Sequence, residues 1–593
     1  MSTKTTRQRI CVRLILSLLL ALCLLAGPLL MASPARAQGP EYNWWGSILD
    51  YDESLDVGDP IAASNGSYHF TMPLLDLGGP MGLHFSLIYR SDFMQMSGPF
   101  LPADFLHHFW WSPKYSAVFV GPGDIGGDVD VWTIQMANGN TVSFKKVGDE
   151  WVLPGPTDFG YENNGSAVRY VLKETTDYLY LMDPIAGCVH IFEKVTIGLY
   201  PFNVGRIVRV VDRNGNQLIY TYAADDENNP IRIEDGLGRS LDLTYGGSLT
   251  QVTDQAGRQV SFAFDNGGDN GGFWTLRSVT DPLGQTTTFT YTTVQDPYNP
   301  FNIYFDNVVS VAHPLGNIPY TQAYDAPVLD GLYTVRVMEQ TDAYGNTTTL
   351  TYDPNQNQVT EDRPDENTVV YQHHSNNSLP KSLTDAVGNT VDFGKNDNEQ
   401  MTSVTDRLDG TTAFDYHAET GNLASITNSQ GNVISYTYAA QTQIFTNSLA
   451  ITETVTFTFY NRTRIDYTDD TNEQFTYDAK GNMLTRVDRS GKTWTYTYND
   501  KGQVLTIANP LEGVITYTYN ADGTTFSSTD SDIGTIMYGY DDYYKRRNRT
   551  TYPDGSFTQT AYDLNDQITS TTDENNHTYT YTYDANGNLV KAT

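Results

Sequence analysis

The chain has 593 residues, with 36 Lys and Arg against 70 Asp and Glu, a formal net charge of −34. That balance excludes nucleic-acid binding, which needs a clustered cationic surface to displace counterions, and it disfavours an anionic membrane surface. Aromatics reach 12%, too many for a disordered acidic polymer, and 49 Gly with Thr-Tyr alternation predict an all-β chain of short strands and tight turns.

Residues 1–37 read as a secretory signal peptide. Arg7, Arg9 and Arg13 form a basic start, Leu14 to Leu25 an apolar run, and Ala35-Arg36-Ala37 a small-x-small cleavage site. The rival reading is an uncleaved anchor, and Gly27-Pro28 opposes it by breaking a spanning helix. Leu22 before Cys23 does not suit lipidation, and Arg7 and Arg9 are not the adjacent pair of a twin-arginine signal. Cleavage predicts a mature chain that starts at Gln38, carries a charge of −39, has no membrane span, and is secreted or held in the cell envelope.

Residues 38–205 are expected to form an N-terminal β domain. Gly121-Pro122-Gly123-Asp124-Ile125-Gly126 matches G-x-G-x-x-G, but the dinucleotide fingerprint needs a helix after the glycines, and Asp128 to Ile134 alternates like a strand. Cys188 is the one mature thiol, so no internal disulfide is available, and the apolar strand it opens makes it a buried structural thiol rather than a nucleophile. His107-His108 and His373-His374 are sequence neighbours that point to opposite faces of a strand, which does not suit shared metal ligation. Two oxygen-rich loops, Asp124/Asp128/Asp130 and Asp265/Asn266/Asp269/Asn270, are the candidates for calcium, and neither fits the twelve-residue EF-hand order. There is no H-E-x-x-H and no G-x-S-x-G, and no local pattern marks a catalytic carboxylate pair. No cofactor is expected.

From about residue 206 a repeat takes over. Tyr477, Tyr498, Tyr519, Tyr540, Tyr562 and Tyr583 recur every 21 or 22 residues, each followed by a turn such as Asp478-Ala479-Lys480-Gly481 or Asp584-Ala585-Asn586-Gly587. A second turn, such as Asp488-Arg489-Ser490-Gly491, lies half a period later, so one unit is two strands and two turns. Trp494, Tyr496 and Tyr498 alternate with Thr493, Thr495 and Thr497, which puts aromatics on one face and Thr on the other. The turn glycines Gly215, Gly257, Gly284, Gly345, Gly388, Gly481, Gly491, Gly502 and Gly587 are expected at φ > 0. Insertions near Asp265–Gly272, Gln295–Asp306 and Gln441–Leu449 are expected to project as longer loops from one rim.

Tyr583-Asp584-Ala585-Asn586-Gly587-Asn588 resembles the YD repeat of Rhs, tripartite-toxin C-component and teneurin proteins. Asp59 to Gly66 together with Leu83 to Ser91 is similar to the domain that opens many Rhs proteins. The resemblance implies a long β-ribbon spiralling into a hollow shell, which in some relatives encloses a toxin. Three parts follow: a signal at 1–37, an Rhs-type N-terminal domain at 38–205, and a YD-repeat array at 206–593 that is open or truncated at its C-terminus. No core segment, cargo domain or aspartate protease site of the family is expected here.

The expected function is an exported, non-enzymatic shell or scaffold, the front part of a polymorphic-toxin or cell-surface system. The alternative is a carbohydrate-binding adhesin that uses its aromatics to grip glycans. The expected partner is a downstream shell or toxin polypeptide, or a second copy meeting the C-terminal edge, where His577 to Tyr583 is read as an unpaired strand.

Overall fold

Thr-aromatic alternation and a turn every ten or eleven residues leave each strand only its sequence neighbours to pair with, and the fold is that meander. The computed structural model describes residues 56–593 apart from 58–60, 63–66, 92–108, 121–129, 139–140, 154–167, 198–201, 224–225, 267–273, 296–303, 326–327, 330–331, 334, 375–379, 448–452 and 542–543. The signal segment, His107-His108, Asp124 and Asp128 therefore lie outside the described residues. The chain separates into a unit at Met1–Gln38 and one at Gly39–Thr593, and everything below concerns the second.

Among the described residues there is no helix, and one antiparallel sheet holds forty strands. From Val171–Glu174 to Leu589–Ala592 each strand pairs with the next, apart from a small side hairpin, Val328–Leu329 with Leu332–Tyr333. Four earlier strands, Ser116–Val120 to Glu150–Val152, join this sheet through Val118 opposite Val204 and Ser116 opposite Arg206. Gly205 makes that junction close, because a Cβ there would stand 2.9 Å from the Ala117 Cβ. A separate three-stranded sheet, His69–Gly78, Leu83–Arg90 and Phe109–Ser112, packs on the array's apolar face.

The core lies where those two sheets meet. Leu83, Phe85, Leu87, Tyr89, Phe109 and Trp111 share one buried cluster with Ile207, Leu241, Val252, Val260, Phe289 and Val308 of the array. Burying each such side chain stabilises by about 1.5–3 kcal/mol. Farther along, the aromatic face is covered less: in Thr493–Tyr498 the Thr side chains are exposed and Trp494, Tyr496 and Tyr498 are half-buried. On the Thr face, cross-strand hydroxyls pair, as in Thr497 with Thr506 at 2.7 Å and Thr572 with Thr578 at 2.9 Å.

Two expectations need correction. The Gln441–Leu449 insertion does not project as a loop. Val433–Asn447 and Glu453–Asp466 form one long hairpin, paired from Ser435↔Asp466 to Asn447↔Glu453. Its Phe445, Val455, Phe457 and Phe459 pack on Tyr178, Tyr180, Met182, Val189 and Ile191. The cause is the alternation of Val455, Phe457 and Phe459 with Thr454, Thr456 and Thr458, a strand pattern that spacing alone overlooks. Likewise, Thr578–Tyr583 is not an unpaired edge. Leu589–Ala592 pairs with it, Tyr583 opposite Leu589 and Tyr581 opposite Ala592, because the Asp584–Asn588 turn fixes that register.

Candidate functional site

Each repeat is closed by two local devices. In the turn, the Asp488 Oδ1 accepts the backbone N–H groups of Ser490 and Lys492 at 2.8 and 3.0 Å, while the Gly491 N–H donates to the Asp488 carbonyl at 2.8 Å. One carboxylate thereby satisfies the donors that a four-residue reversal leaves over. In the strand, a register shift directly precedes the repeat tyrosines, as between Thr497 and Tyr498, and a bulge of this kind re-aims the side chain after it. The hydroxyls of Tyr477, Tyr498, Tyr519, Tyr562 and Tyr583 then donate to the carbonyls of Arg462, Met483, Val504, Arg547 and Ile568, each fifteen residues earlier, at 2.6–2.9 Å. Tyr540 makes its backbone bond with Thr525. Burial pushes the Tyr519 hydroxyl up to about 12, so that group stays a protonated donor.

The turn glycines Gly215, Gly257, Gly284, Gly345, Gly388, Gly481, Gly491, Gly502 and Gly587 stand at φ between +74° and +87°. Their surroundings divide them. A Cβ at Gly491 would meet open space, whereas one at Gly481 would overlap the Arg213 guanidinium and one at Gly502 the Asn214 amide. The ribbon has come back against itself there. Turns on one rim, at 212–216, 235–239, 254–258, 281–285 and 313–317, are seated on turns of the opposite rim that lie 268 to 308 residues later.

Three arginines hold this seam. Arg213 donates to Gln443 Oε1 at 3.2 Å and Asn461 Oδ1 at 2.8 Å, and to Gln441, and it stacks on Phe459 at 4.7 Å. Arg239, bound to Asp235 at 2.9 Å, reaches the Asp522 carbonyl at 2.9 Å. Arg258 binds Asp254 at 2.6 Å and both Asp566 oxygens at 2.7 and 2.8 Å, with its guanidinium 4.7 Å from the Tyr544 ring. Burial works against the Arg258 charge, but Asp254 and Asp566 more than offset it and hold its pKa above the ordinary value. Past the arginines, Asn565 donates to Asp281 at 2.7 Å, and the Leu315 N–H donates to Asn586 at 2.9 Å. Sequence reasoning missed Arg213, Arg239 and Arg258. No local signal marks them, since Asp488-Arg489 has the same turn grammar as Asp212-Arg213 and its Arg489 stays on the exposed rim.

The other sequence candidates are not brought together. Cys188 is buried, and burial pushes its thiol well above the ordinary range, with Asp183 and Asp212 adding to the effect. Burial pushes His373 down to about 4 and lowers His374 as well. Asp265 pairs with Arg277, and Asn266 lies in the strand Gln259–Asn266, while Asp269 and Asn270 fall outside the described residues. Among the described residues no group of three or more acidic, His or Cys side chains is placed to hold a metal ion, and no helix is long and apolar enough to cross a membrane.

The Teneurin YD-shell family model matches residues 393–529, and the RHS Repeat model matches residues 562–593. No curated protein matches the chain. Among solved structures it is similar to a crystal structure of TcdB2-TccC3-TEV, at 13% identity and a TM-score of 0.32, over 84% of this chain and 27% of that one. It is also similar to the Tc holotoxin pore of Photorhabdus luminescens, at 10% identity and a TM-score of 0.27, over 91% and 35%. A crystal structure of TcdB2-TccC3 matches at 10% identity and a TM-score of 0.20, over 95% and 42%. The chain thus spans between 27% and 42% of the length of these three chains.

Proposed function

We propose that this Rhs/YD-repeat protein is an exported, non-enzymatic wall, the front part of a shell that works with a partner polypeptide in a toxin or cell-surface system. The observation that carries this is the seam. Arg213, Arg239 and Arg258 spend buried charge on fastening one stretch of ribbon to another 228 to 308 residues away. Such contacts make a continuous surface out of a ribbon whose repeats otherwise touch only their neighbours. The repeat tyrosines serve the same end, because their hydroxyls are taken by backbone carbonyls. The three-part division at 37/38 and 205/206 and the turn glycines as its structural residues belong to this reading.

The test is to co-express the chain with the polypeptide encoded next to it. A scaffold forms a stable complex and shields that polypeptide from added protease, and the exported chain begins at Gln38 by mass spectrometry. Turnover of a glycan or peptide by the purified chain would overturn the reading. So would strong glycan-array binding lost when exposed aromatics such as Tyr344 or Tyr460 are replaced.

A further inference from the structure

The tyrosine series that closes the repeats extends upstream, and it is broken at two consecutive places. Counting back from Tyr438 and Tyr416 in the same steps of 21 or 22 residues, the next positions are Lys395, His373 and Tyr352. Tyr352 and Tyr416 donate to the carbonyls of Val337 and Met401, each fifteen residues earlier, at 2.6 and 2.8 Å. The backbone at the two exceptions is that of a tyrosine position, since a register shift directly precedes His373 and Lys395 as it precedes Tyr416. Pairing is therefore kept, and what changes is the side chain that fastens the strand end.

His373 is 6% exposed, and its imidazole bonds the Asn357 carbonyl, while that of His374 bonds the Phe393 carbonyl. In both rings Nε2 is buried with no hydrogen-bond partner. A proton arriving there would put a charged N–H in a dry place without an acceptor. Neighbouring charges add to that cost: Lys381 and Lys395 act against a charge on His374, and His374 against one on His373. The carboxylates of the adjoining strands are engaged elsewhere or exposed. Glu361 takes Tyr371 and Arg363 at 2.9 and 2.7 Å, Asp362 takes the Thr368 hydroxyl at 2.7 Å, and Asp392 is exposed. Asp353 is held by amides of its own turn, and Asp397 and Glu399 belong to the turn after Lys395.

We propose that His373 and His374 make the stretch from Thr368 to Lys395 an acid-operated joint in the ribbon, unfastened in mild acid while the tyrosine-closed repeats on both sides hold. The inference goes beyond the scaffold reading and needs no partner. A tyrosine at this position could not respond, since burial pushes the Tyr416 hydroxyl up to about 12 and it keeps its proton throughout. The sign follows from the imidazole. Above about pH 6.5 neither the closed nor the opened joint takes up a proton. Between that value and about 4, an opened His373 binds a proton that the closed one refuses, so acid favours opening.

The experiment is native-state amide exchange of the full chain at pH 7 and pH 5, corrected for the intrinsic effect of pH on exchange. Opening at Thr368–His373 and Pro380–Thr384 is expected to rise about twentyfold from His373 alone, and His374 adds to it. The flanking strands Arg336–Asp342 and Leu423–Thr427 are expected to stay nearly level. His190, also pushed down to about 4, lies in Cys188–Ile197 and answers there, which makes that strand the internal reference. His373→Tyr with His374→Asn is expected to abolish the rise at the joint and to leave the response of Cys188–Ile197 as it was. A rise in the flanks equal to that at the joint overturns the proposal, and so does a rise that persists in the double variant.

If the double variant does not fold, the wild-type chain decides through a histidine-selective NMR titration. A His373 ring that stays neutral in the folded chain down to pH 5, with exchange rising at the joint, supports the proposal. A His373 ring that titrates near pH 6.5 in the folded chain overturns it, because the closed joint would then accept the proton without opening.

Discussion

Gly481 and Gly491 sit in consecutive turns of one repeat, at φ +87° and +74°, and differ only in what faces them. Replacing either with Ala introduces a Cβ into the left-handed region, which costs about 1–2 kcal/mol. At Gly491 the account ends there, because the added atom meets open space. At Gly481 it would overlap the Arg213 guanidinium. That group is 8% exposed and binds Gln441, Gln443 and Asn461 with no carboxylate among these partners. Displacing a buried charge from its hydrogen bonds costs about 3–5 kcal/mol. Gly481→Ala is therefore expected to cost about 4–7 kcal/mol in total, against about 1–2 for Gly491→Ala.

The assay is native-state hydrogen exchange. A long repeat array need not unfold in one step, so a single midpoint is a poor reporter. The added cost should appear as faster exchange in Val433–Asn447 and Glu453–Asp466, and in Tyr178–Asp183, which the long hairpin covers. Arg213→Ala supplies the internal control. In that background the clash is gone, and Gly481→Ala should fall to the level of Gly491→Ala, a coupling read directly from the double-mutant cycle. Equal effects of the two glycine substitutions in the wild-type background would refute the seam as the source of the difference.

Arg258→Met should cost about 3–5 kcal/mol by stranding the fully buried Asp254 carboxylate, whereas Arg489→Met on the exposed rim should cost under about 1 kcal/mol. Comparable urea midpoints for the two variants would contradict that. Tyr498→Phe removes the hydroxyl that bonds the Met483 carbonyl, an expected loss of about 1 kcal/mol, and exchange unchanged at Met483–Val487 would refute it. Burial pushes His190 down to about 4, while an unfolded His titrates near 6.5, so between those values the unfolded chain binds a proton that the folded chain refuses. Stability should therefore fall as pH drops through that window, by up to about 3 kcal/mol for this residue. His190→Phe, next to the Tyr115 ring at 4.5 Å, should flatten the dependence, and an acid profile identical to wild type would sink the assignment.

What the sequence makes legible here is whatever one repeat decides alone. Strand alternation, turn position and the recurrence of Tyr477 to Tyr583 follow from local stereochemistry, and one repeat contains all of it. The long hairpin was legible in principle, since Phe457 and Phe459 alternate with Thr456 and Thr458, but counting turn spacing hid it behind an apparent insertion. The seam is different in kind. Asp212-Arg213-Asn214-Gly215 and Asp488-Arg489-Ser490-Gly491 are the same turn in composition and backbone, yet one is seated and one is free. The choice depends on how far the ribbon has curved, and curvature is a sum of small right-handed twists and bulges over more than twenty strands. No window of sequence contains that sum. A glycine in an Asp-x-x-Gly turn thus has two separate reasons to be there. One is local and shared by every turn, the positive φ. The other is the approach of a side chain from a ribbon 268 residues away at Gly481 and 288 at Gly502, which those two must accommodate and Gly491 need not. The non-glycine tips obey the same division: Glu512 and Asn576 take positive φ on the other rim, where both residues are exposed. Asp566 takes it on the seated rim, where its carboxylate is itself the contact that Arg258 requires.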